Sequence, residues 1–321
     1  MKCEIVLDGR YDLGDLAEEI TLEDSLEEIA YRASIRIAVT PDLPAIGPGQ
    51  SLRIAAVPYG ETAMRELLHP AVIWECASTD SGVKRLNITA YDSTIYLAKS
   101  EDERLMAAGQ TASQRLKLYA KDWDIAVGNV PDTEIALARS VKRAQSIYAM
   151  MQEDLKETVD KGGDMYRPRM TAEGLTLVKL GGNSTIWELE SIEELSQTRS
   201  LEGAVTQVKV LGSQDNDKKL SPVLAVVQGD TARYGTLQKV LQDCDVTTVE
   251  QARRAGRNLL LGMQESFAVT APDIVAIRAG DRVRLNGMDL YVTRVTHKLG
   301  WPGHMDLELS AEAKVRRDWC V

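Results

Sequence analysis

Long apolar runs are missing from this sequence. The longest, such as Leu259–Leu261 and the neighbourhood of Val223–Val227, fall far short of the roughly 20 residues that a membrane-crossing helix needs. The first residues, Met1–Arg10, carry a charged strand pattern with no apolar core, which speaks against a secretory signal. Positive charge is also short. With 38 basic against 48 acidic side chains the formal net charge is -10, which argues against a nucleic-acid binder held by phosphate contacts. Cysteine is sparse: Cys3, Cys76, Cys244 and Cys320 stand far apart, with no Cys-x-x-Cys and no metal-finger spacing. They read as four reduced thiols, with a zinc or disulfide framework as the alternative. Phe267 is the only phenylalanine, against ten tyrosines and five tryptophans. What remains is an ordinary globular composition, 44% hydrophobic and 27% charged, on 321 residues, enough for a real core and about two domains.

Residues 1–98 read mainly as strands. Ser34–Thr40 and Leu52–Val57 alternate with period two, Lys2–Leu7 does so weakly, and Val72–Cys76 and Leu86–Tyr91 flank a hairpin loop at Ser78–Gly82. Leu22–Tyr31 fits a helix or a strand edge equally. From residue 99 the character changes. Thr111–Trp123 has an N-cap threonine and helical spacing, and a longer helix is predicted over Val141–Asp160, stopped by Gly162-Gly163. Met165–Met170, Leu175–Leu180 and Thr185–Leu189 follow as a short meander. After 200, Val205–Leu211 is a strand and Ser213–Lys219 a polar loop. Thr248–Met263 is a helix, with Ala252, Ala255, Leu259 and Leu260 inward and Arg253, Arg254 and Arg257 outward. Ser266–Ala271, Asp281–Leu285, Leu290–Thr296 and Met305–Ala311 close the chain as strands, two of them joined by the hairpin signal Asn286-Gly287.

The two strand-rich ends match each other. Gly49-Gln50-Ser51-Leu52-Arg53-Ile54 resembles Gly280-Asp281-Arg282-Val283-Arg284-Leu285. Gly82 leads to Leu86-Asn87-Ile88-Thr89-Ala90 as Gly303 leads to Leu307-Glu308-Leu309-Ser310-Ala311. A middle strand, Val72–Cys76 or Tyr291–Val295, stands between. The first copy carries an extra segment, Tyr59–His69, that reads as a helical excursion. The pattern predicts two similar β-domains flanking an α-containing insert.

No catalytic constellation stands out. His297, His304 and Asp306 could share a metal across one hairpin, but hairpin histidines more often pack on an aromatic such as Trp301. Gly181-Gly182-Asn183-Ser184-Thr185 lacks the lysine of a phosphate loop, and no serine sits in a nucleophile elbow. The acidic pairs Glu27/Glu28 and Glu193/Glu194 read as solvated faces. The sequons at Asn87 and Asn183 mean little without secretion. Arg253, Arg254 and Arg257 could meet an acidic partner or solubilise their helix. No catalytic, cofactor-binding or metal-ligating residue is assigned, and no cofactor is expected.

Three stretches carry a resemblance. They are Ile88-Thr-Ala-Tyr-Asp-Ser-Thr-Ile-Tyr-Leu-Ala-Lys-Ser100, then Glu193–Val210, then a C-terminal block made of Ile277-x-x-Gly-Asp-x-Val283, Tyr291-Val-x-x-Val-x-His297 and Gly303-x-x-x-Leu-x-Leu309. Together, and by the order of elements over nearly the whole chain, they resemble the XkdQ/YqbQ proteins of Bacillus prophages. More distantly they resemble the late-control-D and baseplate-hub proteins of contractile-tailed phages and tailocins. The resemblance implies an α+β fold of two split-barrel, tube-type β-domains, at 1–98 and 201–321, around an α+β insert at 99–200, with 201–240 completing either the first β-domain or the insert. It implies a non-enzymatic structural hub, a homotrimer whose six quasi-equivalent domains adapt a six-fold tail tube to a three-fold spike. Implied partners are the central spike, the tail tube or tube-initiator protein, the tape measure, a LysM-type baseplate protein and wedge proteins. No membrane is involved, and DNA enters only as passing cargo. The implied location is the virion tail baseplate. The rival reading is a carbohydrate- or cell-wall-binding β-protein of a tail tip, and a peptidoglycan hydrolase is a third.

Overall fold

A computed structural model describes residues 3–58, 62–213, 220–242, 246–300 and 302–320. Residues 59–61, most of the 213–219 loop, Cys244, Trp301, and the side chains of Trp319 and Cys320 lie outside that description. The chain forms two compact units. The first comprises residues 1–195 and 268–309, the second residues 196–267 and 310–319.

The first unit opens with seven strands: β1 (Cys3–Leu7), β2 (Tyr11–Asp12), β3 (Ala17–Ser25), β4 (Arg32–Ala38), β5 (Ser51–Ala56), β6 (Arg65–Asp80) and β7 (Lys84–Asp92). The alternation in β4 shows why they pair as they do. Ala33, Ile35 and Ile37 point into the core with Ile20, Leu22, Ile54, Ile73 and Ile88. Between them Arg32 and Arg36 point out, to Glu23 and to Glu18 and Glu19. Removal of these aliphatic faces from water is the main stabilising term.

An α/β segment follows: α1 (Ile95–Lys99), β8 (Glu101–Met106), α2 (Ala112–Asp122), β9 (Ser140–Ser146), α3 (Ile147–Asp160), β10 (Tyr166–Thr171) and β11 (Gly174–Lys179). Thr111 caps α2 in a reciprocal box with Gln114. The predicted helix over Val141–Asp160 is shorter in the structure. Its first turn and a half is strand β9, paired with β8, and α3 starts only where the Ser146 hydroxyl accepts the Ala149 amide.

The chain then makes β12 (Trp187–Glu188), β13 (Glu194–Ser200), β14 (Gln207–Leu211), β15 (Val223–Gln228), α4 (Thr231–Tyr234), β16 (Gln238–Gln242), α5 (Val249–Leu259), β17 (Gln264–Pro272), β18 (Arg282–Leu285), β19 (Met288–Leu299), β20 (His304–Ser310) and α6 (Glu312–Cys320). The second unit has its own three-stranded sheet, β15-β14-β16, over which Val208, Val210, Val246 and Ala252 are buried. Helix α5 ends at Leu259, before the predicted Met263, because Leu260 turns extended. The expected helical excursion at 59–69 is instead the start of β6 from Arg65 onward, paired with β5.

The duplication is visible in hydrogen bonds. The strand order β3-β4-β7-β6-β5 is repeated as β13-β17-β20-β19-β18, with β12 beside β18 in the place of β1 beside β5 but parallel where β1 is antiparallel. Gly49 donates to the Ile73 carbonyl at 2.8 Å and Gly280 to that of Val292 at 2.7 Å, while Ile73 and Val292 donate back to Gln50 and Asp281, each at 2.9 Å. The Gln50 side chain accepts the Gly47 amide, and the Asp281 side chain accepts the Arg278 amide. Both glycines have positive φ, +92° and +89°. Val39 donates to Lys84 as Asp273 donates to Gly303. Lys84 therefore takes the place of Gly303, two residues from the alignment that matched Gly82 to it. A slip of two keeps every side chain on its face, so sequence alternation cannot detect it.

The copies differ in what is inserted. Where the first joins β3 to β4 through residues 26–31, the second inserts residues 201–263. That insertion is entered and left side by side through the antiparallel bridge Val205–Leu261. The sequence placed divisions after 98 and 200. The compact units divide instead after 195, 267 and 309, and the 201–263 insertion falls in the second unit.

The matched turns give a direct comparison. Alanine at Gly49 meets nothing within 4 Å, whereas at Gly280 its Cβ would lie 2.7 Å from Leu180 Cδ2 and 3.1 Å from Arg167 Cδ. Gly49→Ala should cost about 1–3 kcal/mol from the backbone conformation alone. Gly280→Ala should cost clearly more, read by urea denaturation of the two variants side by side.

Candidate functional site

Inside one chain the two copies are already joined edge to edge. Residues Arg294–Leu299 of β19 run antiparallel to Ile20–Ser25 of β3, and the Leu26 amide donates to the Thr293 carbonyl at 2.9 Å. This joint covers Val295 and His297, both buried.

A buried ionic cluster locks the joint. Asp24, at the end of β3, is 1% exposed. Its Oδ1 accepts from Arg167 Nη2 at 3.1 Å. Its Oδ2 accepts from Arg278 Nε at 2.6 Å and from the Ala279 amide at 3.2 Å. Arg167 also donates to the carbonyls of Ala279 (2.7 Å) and Ser25 (3.1 Å). Arg169, one step along the same face of β10, donates to the Ala279 carbonyl and to Asp281. Arg278 lies 3.6 Å from the centroid of the Tyr31 ring. Three segments thus meet at one point: Asp24 and Tyr31 from the first copy, Arg278, Ala279 and Asp281 from the second, and Arg167 and Arg169 from the segment between them.

The electrostatics follow from this geometry. Burial alone would raise the Asp24 carboxyl, but the guanidiniums of Arg167 and Arg278 outweigh it and hold the group well below the usual carboxylate range. Burial would depress Arg278, yet Asp24 holds it above its ordinary value. Next to them Asp92 is buried without a cation in contact and is pushed up to about 6, although it accepts from the Tyr31 amide and from Thr94. An ion pair of this kind contributes direction more than net stability, since desolvation offsets much of the attraction. What it does here is tie the end of β3, the turn before β18 and strand β10 together at one point.

The histidines flagged in the sequence are not brought to one metal. Both ring nitrogens of His297 are used: Nε2–H donates to the Ile277 carbonyl at 2.9 Å, and Nδ1 is 2.7 Å from Asp273 Oδ1. His304 meets Glu193, and Asp306 accepts from Lys298 and Thr270. No metal-binding group forms among the described residues. Asn183 ties the Gly181–Thr185 segment to β18, donating to and accepting from the Arg282 backbone. Arg253, Arg254 and Arg257 are exposed on α5. Trp74 meets Tyr91 and Tyr96 edge-on, with centroids 6.3 and 6.1 Å away, not as a flat platform for a sugar ring.

The cluster residues escaped the sequence reading. Asp24 lies in the stretch that fits a helix or a strand edge, and Arg167 and Arg169 lie unremarked in the Met165–Met170 strand. Asp281 stood in the Gly280–Leu285 repeat and in the C-terminal block, and Arg278 at an unspecified position of that block. The available signal was Arg167-Pro168-Arg169, two like charges on one face of a strand between apolar segments.

The fold matches that of phage tail and baseplate hub proteins. The prophage MuSo2 43 kDa tail protein of Shewanella oneidensis is similar with a TM-score of 0.75 at 11% identity, over 98% of this chain and 100% of that one. A prophage tail protein, gp18, of Listeria monocytogenes gives 0.62 at 12%, over 98% and 95%. The Escherichia coli c3393 protein, a type VI secretion component similar to T4 bacteriophage tail proteins gp27 and gp5, gives 0.55 at 10%, over 98% and 78%. No curated protein matches the chain. A model of the YQBQ-like family matches residues 71–310, and the chain belongs to that family.

Proposed function

We propose that this chain is the structural baseplate hub of a contractile phage tail or phage-tail-like particle. Three copies form a ring in which six β-copies, two per chain, stand at quasi-equivalent positions between a six-fold tail tube and a three-fold central spike. The observation that carries this reading is the repeated strand order with its repeated hydrogen bonds. A three-fold assembly imitates six-fold symmetry only if each chain repeats a domain. The fold shared with the Shewanella and Listeria tail proteins supports the tail context. The spike, the tube or its initiator, the tape measure, and the LysM-type and wedge proteins are the proposed neighbours. The net charge of -10 suits a channel wall that repels DNA in transit. No enzymatic step is assigned.

The test is image reconstruction of assembled particles, with native mass spectrometry of the chain co-expressed with its spike. The expected result is a three-chain ring with six β-copies around a channel. A chain that stays monomeric even in assembled particles would overturn the reading.

A further inference from the structure

Among the described residues, two strand edges lack the partner that their counterparts in the other copy have. On β6, Ser51 pairs as far as Val72, and Gln50 and Gly49 bond Ile73. Beyond that point, among the described residues, no strand pairs the same edge of Trp74–Asp80. This edge is the counterpart of the one on β19 that β3 covers. Counting from Val72, which takes the place of Tyr291, residues Glu75–Asp80 stand where Arg294–Leu299 stand. Burial records the missing cover: Val295 and His297 are buried, while their counterparts Cys76 and Ser78 are half-buried and exposed.

The second free edge belongs to β13, which ends the sheet path. It takes the place of β3, and the Glu193 amide donating to Thr270 fixes its register, so Glu193 matches Glu19. In β3, Ile20, Leu22 and Asp24 are buried; in β13 every residue from Glu194 to Arg199 is exposed. Lysine, proline or a bulge commonly guards a free edge; Trp74–Asp80 contains neither lysine nor proline, and the register shift of β6 against β7 lies at its very start, between Ile73 and Glu75, leaving Glu75–Asp80 regular.

We propose that these two edges pair between chains. Strand β13 of one copy adds to the outer edge of β6 in a second copy of this protein, repeating between chains the joint that β3 and β19 make within one. The register carried over from the internal joint sets Arg199 opposite Glu75, Thr198 opposite Cys76, Gln197 opposite Ala77, Ser196 opposite Ser78, and Glu194 opposite Asp80. Opposite charges face each other at one end, small hydroxyl and thiol side chains fill the middle, and two carboxylates mark the other end. Each chain donates β13 once and accepts once, so the contact is heterologous, and it closes a ring when the rotation is three-fold. The proposal rests on the trimeric reading above and names its contact.

Cys76 is a free thiol on the proposed seam, which gives the test. Thr198→Cys should form an intermolecular disulfide with Cys76 under copper–phenanthroline oxidation. The product runs on non-reducing gels as a closed species of three chain masses. The Thr198→Cys/Cys76→Ser control should return to single chains, as should Gln197→Cys, whose side chain points to the other face. As a second arm, Glu75→Arg should weaken trimer formation roughly tenfold in mass photometry, and Glu75→Arg/Arg199→Glu should restore it. If trimers form but neither the cross-link nor the charge swap registers, this seam is wrong and the ring reading stands. If no trimer forms in solution or in particles, the ring reading itself falls.

Discussion

Asp24→Ala should destabilise the protein by about 3–5 kcal/mol, because it strands Arg167 and Arg278 in a buried site without their counter-charge. Asp24→Asn should lose less, since a carboxamide oxygen still accepts one of the guanidinium hydrogen bonds. The readout is urea denaturation, with hydrogen exchange to localise the damage. Amides at Leu26, Ala279 and Gly280 should lose protection first. The pH dependence has a definite sign. Asp24 sits below its ordinary value of 3.8, so its contribution is complete above that value and is lost as pH falls through the lower, folded value. Asp92 works the other way. Raised to about 6, it favours the fold when protonated, and that contribution disappears as pH rises from about 4 to about 6. Asp24→Ala should therefore flatten the acid limb of the stability curve. Asp92→Asn should flatten the slope between pH about 4 and 6 and leave the acid limb in place.

Asp154→Ala should have an effect of similar size, about 3–5 kcal/mol, confined to the segment between the two copies. Asp154 on α3 is buried and accepts from Arg115 Nη1 at 2.7 Å, from Lys142 Nζ at 3.0 Å and from the Tyr119 hydroxyl at 3.1 Å. Arg115 is fully buried on α2, and its other nitrogen donates to the carbonyls of Ala107 and Ala138. Removing the carboxylate leaves Arg115 buried without a counter-charge, while Lys142 keeps Glu153 at 2.8 Å. Exchange should accelerate in α2, α3, β8 and β9 while β4 and β7 keep their protection. If β4 and β7 loosen equally, the effect of Asp154 is not local to this segment.

Much of the fold was legible because it rests on local signals. The alternation of Ser34–Thr40 became β4, Thr111 and Thr248 capped the helices they were assigned to, and Asn286-Gly287 turned the hairpin between β18 and β19. The Gly49 and Gly280 match held down to individual hydrogen bonds, since a positive-φ turn before a strand demands glycine in both copies. The failures share a cause. Val141–Ser146 has helical spacing but is captured as a strand by β8, a tertiary contact no window can see. Residues 65–69 read as part of the Tyr59–His69 helical excursion because their pairing with β5 is a tertiary contact outside any local window. The Asp24 cluster was invisible because its members come from three distant parts of the chain. A buried arginine looks the same as an exposed one until the fold brings its carboxylate to it.

The insertion of residues 201–263 into only the second copy has a consequence for symmetry. In the proposed ring the six β-copies would be near-equal, but this module would decorate every other one. It would be a three-fold label on an otherwise six-fold wall, entered and left through a single pair of neighbouring backbones at Val205 and Leu261. Cutting it down to a turn the length of 26–31 would leave the sheet order intact and erase the label. Components that count in sixes should then still bind, and those that count in threes should lose their bearings.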